Sequence, residues 1–151
     1  MNKTVYLAGA MSCYFKTNQN DYPKQWREDA KKYVKELYDD ITFVSPTDYF
    51  EIGKNYHKTE TEVMRFDLRM VRESDIVLCN LRDLHTSIGT SDEIFYAFIS
   101  GKPIIGFLDD ESEVKNIHPW KVEQIDRIET GKDSMKRAID YIYRYYVDRY
   151  N

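Results

Sequence analysis

The chain lacks most of the features that mark specialised proteins. It has only two cysteines, Cys13 and Cys79, among 151 residues. No disulfide framework is available, and both thiols are expected to be reduced in a cytoplasmic setting. Basic charge is not in excess: 22 Lys and Arg face 26 Asp and Glu, giving a net charge of −4 and a pI near 5.4. So mildly acidic a chain argues against wrapping duplex nucleic acid, which needs a basic face, and no nucleic-acid polymer is expected as a partner. No apolar run approaches the ~18 residues of a membrane span. Met1-Asn2-Lys3-Thr4 leads straight into a strand-like stretch with no secretory apolar region.

Common ligand motifs are missing too. Gly9-Ala10-Met11 holds a single glycine where the dinucleotide fingerprint needs three. There is no P-loop and no nucleophile elbow. His57, His85 and His118 share no metal-ligand spacing. Neither a metal nor a cofactor is expected.

What is present reads as one folded domain over residues 1–151. Hydrophobic residues are 42% and charged residues 32%, an ordinary globular balance. Thr4–Ala8, Ile41–Val44, Asp75–Leu81 and Ile104–Leu108 read as strands, with a fifth over Gln124–Ile128. Between them lie helical patterns. The first starts at Asp21 and Pro23 and carries Trp26, Ala30, Tyr33, Val34 and Leu37 at helical spacing. The second opens on a Thr59/Glu62 capping box and lines one face with Val63, Phe66, Met70 and Val71. The third runs from Thr90 to Ser100, where Gly101-Lys102-Pro103 stops it. The last spans Lys132–Tyr146, and Asp48–Lys58 reads as a loop. Alternating strands and helices predict an α/β fold: a parallel five-stranded sheet with helices on both faces. Such sheets bind ligands beyond the carboxyl ends of their strands. The segments after the strands, Gly9–Phe15, Pro46–His57, Asn80–Glu93 and Leu108–Trp120, are therefore the informative ones.

Ser87-Ile88-Gly89-Thr90-Ser91-Asp92-Glu93 stands between a buried strand and a helix start. Two readings fit it. Thr90 and Glu93 have capping-box spacing, a purely structural device. Equally, a carboxylate in the first helical turn is held ionised by the helix dipole, at the sheet edge where ligands bind. Such a group can attack a sugar carbon with oxocarbenium character. Gly89 leaves backbone amides open, Ser87 adds a hydroxyl, and together they suit a phosphate. Asp67 is either a solvated helix charge or the second carboxyl that such chemistry requires.

Tyr6-Leu7-Ala8-Gly9-Ala10-Met11, Asp67 with Asp75-Ile76-Val77-Leu78, and Gly89-Thr90, Glu93-Ile94, Tyr96-Ala97 before Gly101-Lys102-Pro103 form an ordered set over residues 4–108. This set resembles the nucleoside 2-deoxyribosyltransferase superfamily. The resemblance implies a flavodoxin-like or Rossmann-like fold. It also implies cleavage of an N-glycosidic bond through a covalent glycosyl-glutamate, without metal or cofactor. It makes Glu93 the nucleophile, Asp67 the acid serving the leaving base, and Tyr6 the group orienting the glutamate. Gly9 and Met11 would shape the base and sugar pocket. Family members acting on free nucleosides carry Asp six residues before the glutamate, where this chain has Ser87. In that respect Ser87-Ile88-Gly89-Thr90 resembles the branch hydrolysing nucleoside 5′-monophosphates. An Asp there would repel a phosphate dianion, whereas a hydroxyl with helix amides would accept it. Base exchange on deoxyribose and a non-catalytic nucleotide-binding module stay open as alternatives.

The resemblance further implies a homodimer or higher homo-oligomer with a shared active site. Tyr141, Tyr143, Tyr145, Tyr146 and Tyr150 near the C-terminus suit an interface, or else simply pack their helix.

Overall fold

A computed structural model describes residues 2–49 and 57–148. Five parallel strands form one sheet: β1 (Lys3–Gly9), β2 (Ile41–Val44), β3 (Ile76–Asn80), β4 (Ile104–Leu108) and β5 (Arg127–Thr130), in the order β2-β1-β3-β4-β5. The chain steps outward from β1 to β2, then back across to β3. The reversal places a crevice at the carboxyl ends of β1 and β3, where Gly9 pairs with Asn80.

Strand alternation divides the core in two. Val5, Leu7, Ile76, Leu78, Ile105 and Phe107 point to the side covered by α1 (Tyr22–Leu37) and α5 (Ser134–Ile142). Tyr6, Ala8, Val77, Cys79, Ile104 and Leu108 point to the other side. There they meet α2 (Glu60–Glu73) and α3 (Ile88–Ile99), with α4 (Pro119–Gln124) beside α3. β3 and β4 are buried along their whole length, as continuous apolar runs in a covered parallel sheet require. Among the described residues, no helix is long and apolar enough to cross a membrane.

Local signals set several boundaries. Thr59 Oγ1 accepts the Glu62 amide and Glu62 Oε2 accepts the Thr59 amide, both at 3.2 Å, so the expected box starts α2. Gly101, at φ 72°, ends α3: its amide bonds Phe98 O, while that of Lys102 bonds Ala97 O.

Other boundaries differ from expectation. Asp21 holds the N-cap position of α1, but its side chain makes no cap bond. The fifth strand lies at Arg127–Thr130, because Pro119 nucleates the short α4 and that helix consumes Gln124. The last helix begins at Ser134 rather than Lys132, since Asp133 is left-handed at φ 60°. It leaves α geometry at Tyr143 for a π turn over Tyr143–Val147. Where the segment read as a loop begins, Pro46–Asp48 form a 3₁₀ turn capped by Ser45. Residues 50–56 of that loop, and Tyr150, lie outside the described residues.

Gly9 shows how tightly the crevice floor is packed. A Cβ there would sit 2.9 Å from Trp26 Cζ2 and 3.3 Å from Asn80 Cβ. The indole cannot retreat, with the Phe107 ring edge-on at 5.5 Å and the Arg27 guanidinium 4.6 Å from its centroid. Gly9→Ala is expected to destabilise by about 1–3 kcal/mol. Thermal denaturation checks this, and an unchanged midpoint would contradict the packing described.

Candidate active site

The pleat of β1 turns Tyr6 toward α3, where its ring is wholly buried and its hydroxyl donates to Glu93 Oε2. Glu93 is 8% exposed. The structure does not form the expected Thr90/Glu93 box. Ser87 adopts extended geometry (φ −116°, ψ 97°) and is itself the cap, its Oγ accepting the Thr90 amide at 3.2 Å. Ser87 Oγ also lies 2.7 Å from Thr90 Oγ1. The helix thus begins at Ile88 rather than Thr90, which puts Glu93 in its second turn.

The expected ionisation of Glu93 by the helix dipole is overturned with it. That field fades beyond the first turn, which holds no acidic residue. Burial dominates instead and lifts the Glu93 carboxyl to about 8. The Tyr6 hydrogen bond and the Arg27 charge oppose the rise, and the Asp67 charge adds to it. Burial, then Glu93, holds the Tyr6 phenol well above its ordinary range, so it stays a donor.

Asp67 comes from the middle of α2 and is half-buried. It is not the solvated helix charge of the simpler reading. Burial lifts its carboxyl to about 6, against the charges of Arg27 and His57. Its Oδ1 is buried with no hydrogen-bond partner among the described residues. An orphaned acceptor is unfavourable in a finished core, and it marks a position open to a ligand donor.

Gly9, Met11, Asp67, Ser87, Gly89, Thr90 and Glu93 all line one cavity of about 390 Å³ at the crevice, with Tyr6 directly behind Glu93. This volume falls within the range of small-molecule sites. Among the described residues a Cβ at Gly89 would meet nothing within 4 Å, so that side of the helix start stays open. Among the described residues, no group of three or more His, Cys, Asp and Glu is placed to hold a metal.

Arg27 is the residue that motif reading missed. It is 1% exposed, and it donates to Pro23 O at 2.8 Å, Gly9 O at 3.1 Å and Leu7 O at 3.3 Å. The signal was available: positions 23, 27, 30 and 34 fall on one buried helical stripe, and one of the four is an arginine. Phe15 and Met64 also line the cavity and carry no motif of their own.

The nucleoside 2-deoxyribosyltransferase family model matches residues 5–137. No curated protein matches the chain. Among solved structures, a conserved protein from Enterococcus faecalis V583 superposes with a TM-score of 0.70 at 16% identity, over 93% of this chain and 99% of that one. A 2-deoxyribosyltransferase from the psychrotolerant bacterium Bacillus psychrosaccharolyticus superposes with a TM-score of 0.63 at 20% identity, over 89% and 90%. A de novo designed Rossmann-fold protein does so with a TM-score of 0.54 at 16% identity, over 100% and 96%. At these identities the structural likenesses speak for the fold alone.

Proposed function

The chain belongs to the nucleoside 2-deoxyribosyltransferase family, and from that premise we propose that it is an N-glycosidase acting on nucleoside 5′-monophosphates, with Glu93 as nucleophile. The observation that carries this reading is the buried Tyr6–Glu93 pair on the wall of a cavity that also holds the Asp67 carboxyl. Tyr6 occupies Oε2, which leaves Oε1 for the sugar. In the first step Oε1 bonds C1′ as the C1′–N bond breaks, and Asp67 delivers its proton to the departing base. In the second, water attacks C1′, passes a proton to the Asp67 carboxylate, and frees Glu93. Two displacements give net retention. Ser87 and the amides of Ile88 and Gly89, which have no intrahelical acceptors, support the 5′-phosphate.

The pair needs one proton in total, on Asp67 when Glu93 attacks. The resting protein keeps it on Glu93, the group held at about 8, while Asp67, at about 6, is ionised. Both arrangements contain the same number of protons, so the rate follows the singly protonated pair. Below about pH 6 both carboxyls are protonated and the nucleophile is lost. Above about pH 8 both are ionised and the acid is lost. A bell-shaped kcat/KM with limbs near those values is the expected profile. A rate climbing steadily to pH 10 would show that Asp67 is not the acid.

Base exchange shares the first step and differs only in what accepts the sugar. It is favoured by the family match. A chromatographic screen separates the two. Ribo- and deoxyribonucleosides and their 5′-monophosphates are incubated with and without a second base. Free base from monophosphates alone supports hydrolysis, and new nucleosides that need the added base establish transfer. No turnover of either kind leaves a nucleotide-binding module.

A homo-oligomer completing the site is part of the same proposal. Its support lies on α3 and on one of the C-terminal tyrosines. Phe95, Phe98 and Ile99 are 47%, 49% and 60% exposed and Tyr145 is 61% exposed, whereas Tyr141, Tyr143 and Tyr146 pack against the core. Light scattering is expected to give at least a dimer mass at micromolar concentration. A monomer there would exclude a shared site.

A further inference from the structure

A second cavity, of about 500 Å³, lies on the other side of the α3 start and shares Ser87 and Ile88 with the first. The two differ in charge. Among its described lining residues the first carries four carboxyl side chains, Glu60, Asp67, Asp92 and Glu93, and one cation, Arg27, which is committed to backbone carbonyls. The second is lined by His85, Lys115, His118 and Lys121, with no Asp or Glu among its described lining residues. In a chain of net charge −4 this separation is not an average of the composition.

The donors are disposed to be used. His118 Nδ1 accepts the Trp120 amide at 3.1 Å, which leaves Nε2 to carry a proton outward. Lys121 Nζ is anchored by Ser91 O at 2.7 Å and Gln124 Oε1 at 2.8 Å, and one of its three protons remains. Lys115 acts on Asp110, which does not line the cavity. Counted in water volumes of about 30 Å³, the space holds roughly seventeen molecules, more than a single phosphoryl group displaces.

We propose that this cavity binds the phosphate chain of the substrate beyond its first phosphoryl group, so that nucleoside 5′-di- and triphosphates are substrates as well. This rests on the reading of the first cavity as the glycoside site. The nucleoside occupies the acidic cavity, the first phosphoryl group passes the Ser87 edge, and the following ones meet Lys115, His118 and Lys121. The bond broken remains C1′–N, and the phosphate chain leaves intact on the sugar.

The test compares kcat/KM for the mono-, di- and triphosphate of one nucleoside, in the parent protein and in the double variant Lys115→Gln, His118→Gln. Both residues are exposed, so the fold is expected to survive. Di- and triphosphates should be cleaved at least as well as the monophosphate. The double variant should lose about ten-fold or more on them through KM, and much less on the monophosphate. Poorer cleavage of the longer chains, or equal losses on all three, overturns the proposal. Binding of inorganic tripolyphosphate, followed by calorimetry, is read separately. Binding that the double variant abolishes upholds the cationic site even where no glycoside is cleaved, a result that would sink only the catalytic reading. Binding that it leaves unchanged sinks the site itself.

Discussion

Glu93→Gln is expected to remove turnover and to stabilise the fold at alkaline pH. Loss of a covalent nucleophile lowers kcat by roughly 10³–10⁶-fold. The amide is close in shape to the carboxyl and still offers an oxygen to the Tyr6 hydroxyl, so the cavity wall keeps its form. The stability effect follows from burial. The Glu93 carboxyl titrates at about 8 in the folded chain, against an ordinary 4.5. Below pH 4.5 the group is protonated in both the folded and unfolded states. Between 4.5 and 8 only the folded chain keeps the proton, so the parent protein loses stability as pH rises, by about 1.4 kcal/mol per unit. Above 8 the loss levels off. Glutamine cannot ionise and escapes it. Denaturation of parent and variant from pH 5 to 9 should show curves that diverge upward and then run parallel. A difference between parent and variant that stays the same at every pH would show that the carboxyl is not held protonated. Retained turnover would exclude the glycosyl-glutamate. A functional carboxyl that destabilises its own fold is the usual relation of site to scaffold.

Arg27→Met carries the second large effect, on stability. Methionine fills much of the space but donates nothing. The carbonyls of Pro23, Leu7 and Gly9 then lose their guanidinium donor in a place where the side chain is 1% exposed. Pro23 O keeps the backbone amide of residue 27 as its helical donor, so the Leu7 and Gly9 carbonyls are left unsatisfied, at an expected cost of about 2–5 kcal/mol together. In a chain of this length that lowers the melting temperature by roughly 10 °C. The charge matters separately. Arg27 holds down the carboxyls of both Glu93 and Asp67, so its removal should move both limbs of the pH profile upward. Arg27→Lys retains a charge without the fork. It should keep the limbs nearer their places while still losing stability. A purely structural arginine would shift the melting point in both variants and leave the pH profile alone in both.

How far the sequence reaches depends on whether a signal is local. Fully buried strands such as Ile76–Asn80 and Ile104–Leu108 announce themselves, because both faces must be apolar. The edge strand Arg127–Thr130 does not: with an exposed Arg127 and three half-buried neighbours it has no apolar run to read. The Thr59/Glu62 box was legible because nothing competes with it. The same spacing at Thr90/Glu93 misled, since Ser87 stands three residues earlier and its extended backbone captured the cap. Once Ser87 closed the helix, Glu93 was free to turn toward β1.

The sequence by itself therefore determined the alternation of elements, the parallel sheet, and the identity of the residues around the crevice. The tertiary structure decided what those residues are chemically. Tyr6 and Glu93 meet across 87 positions of chain, and Asp67 acts on both from a third element. Their proton affinities come from the water that packing removes, a quantity no residue spacing encodes. The charge difference between the two cavities arises in the same way, from which side chains the fold turns toward each side of a single helix start.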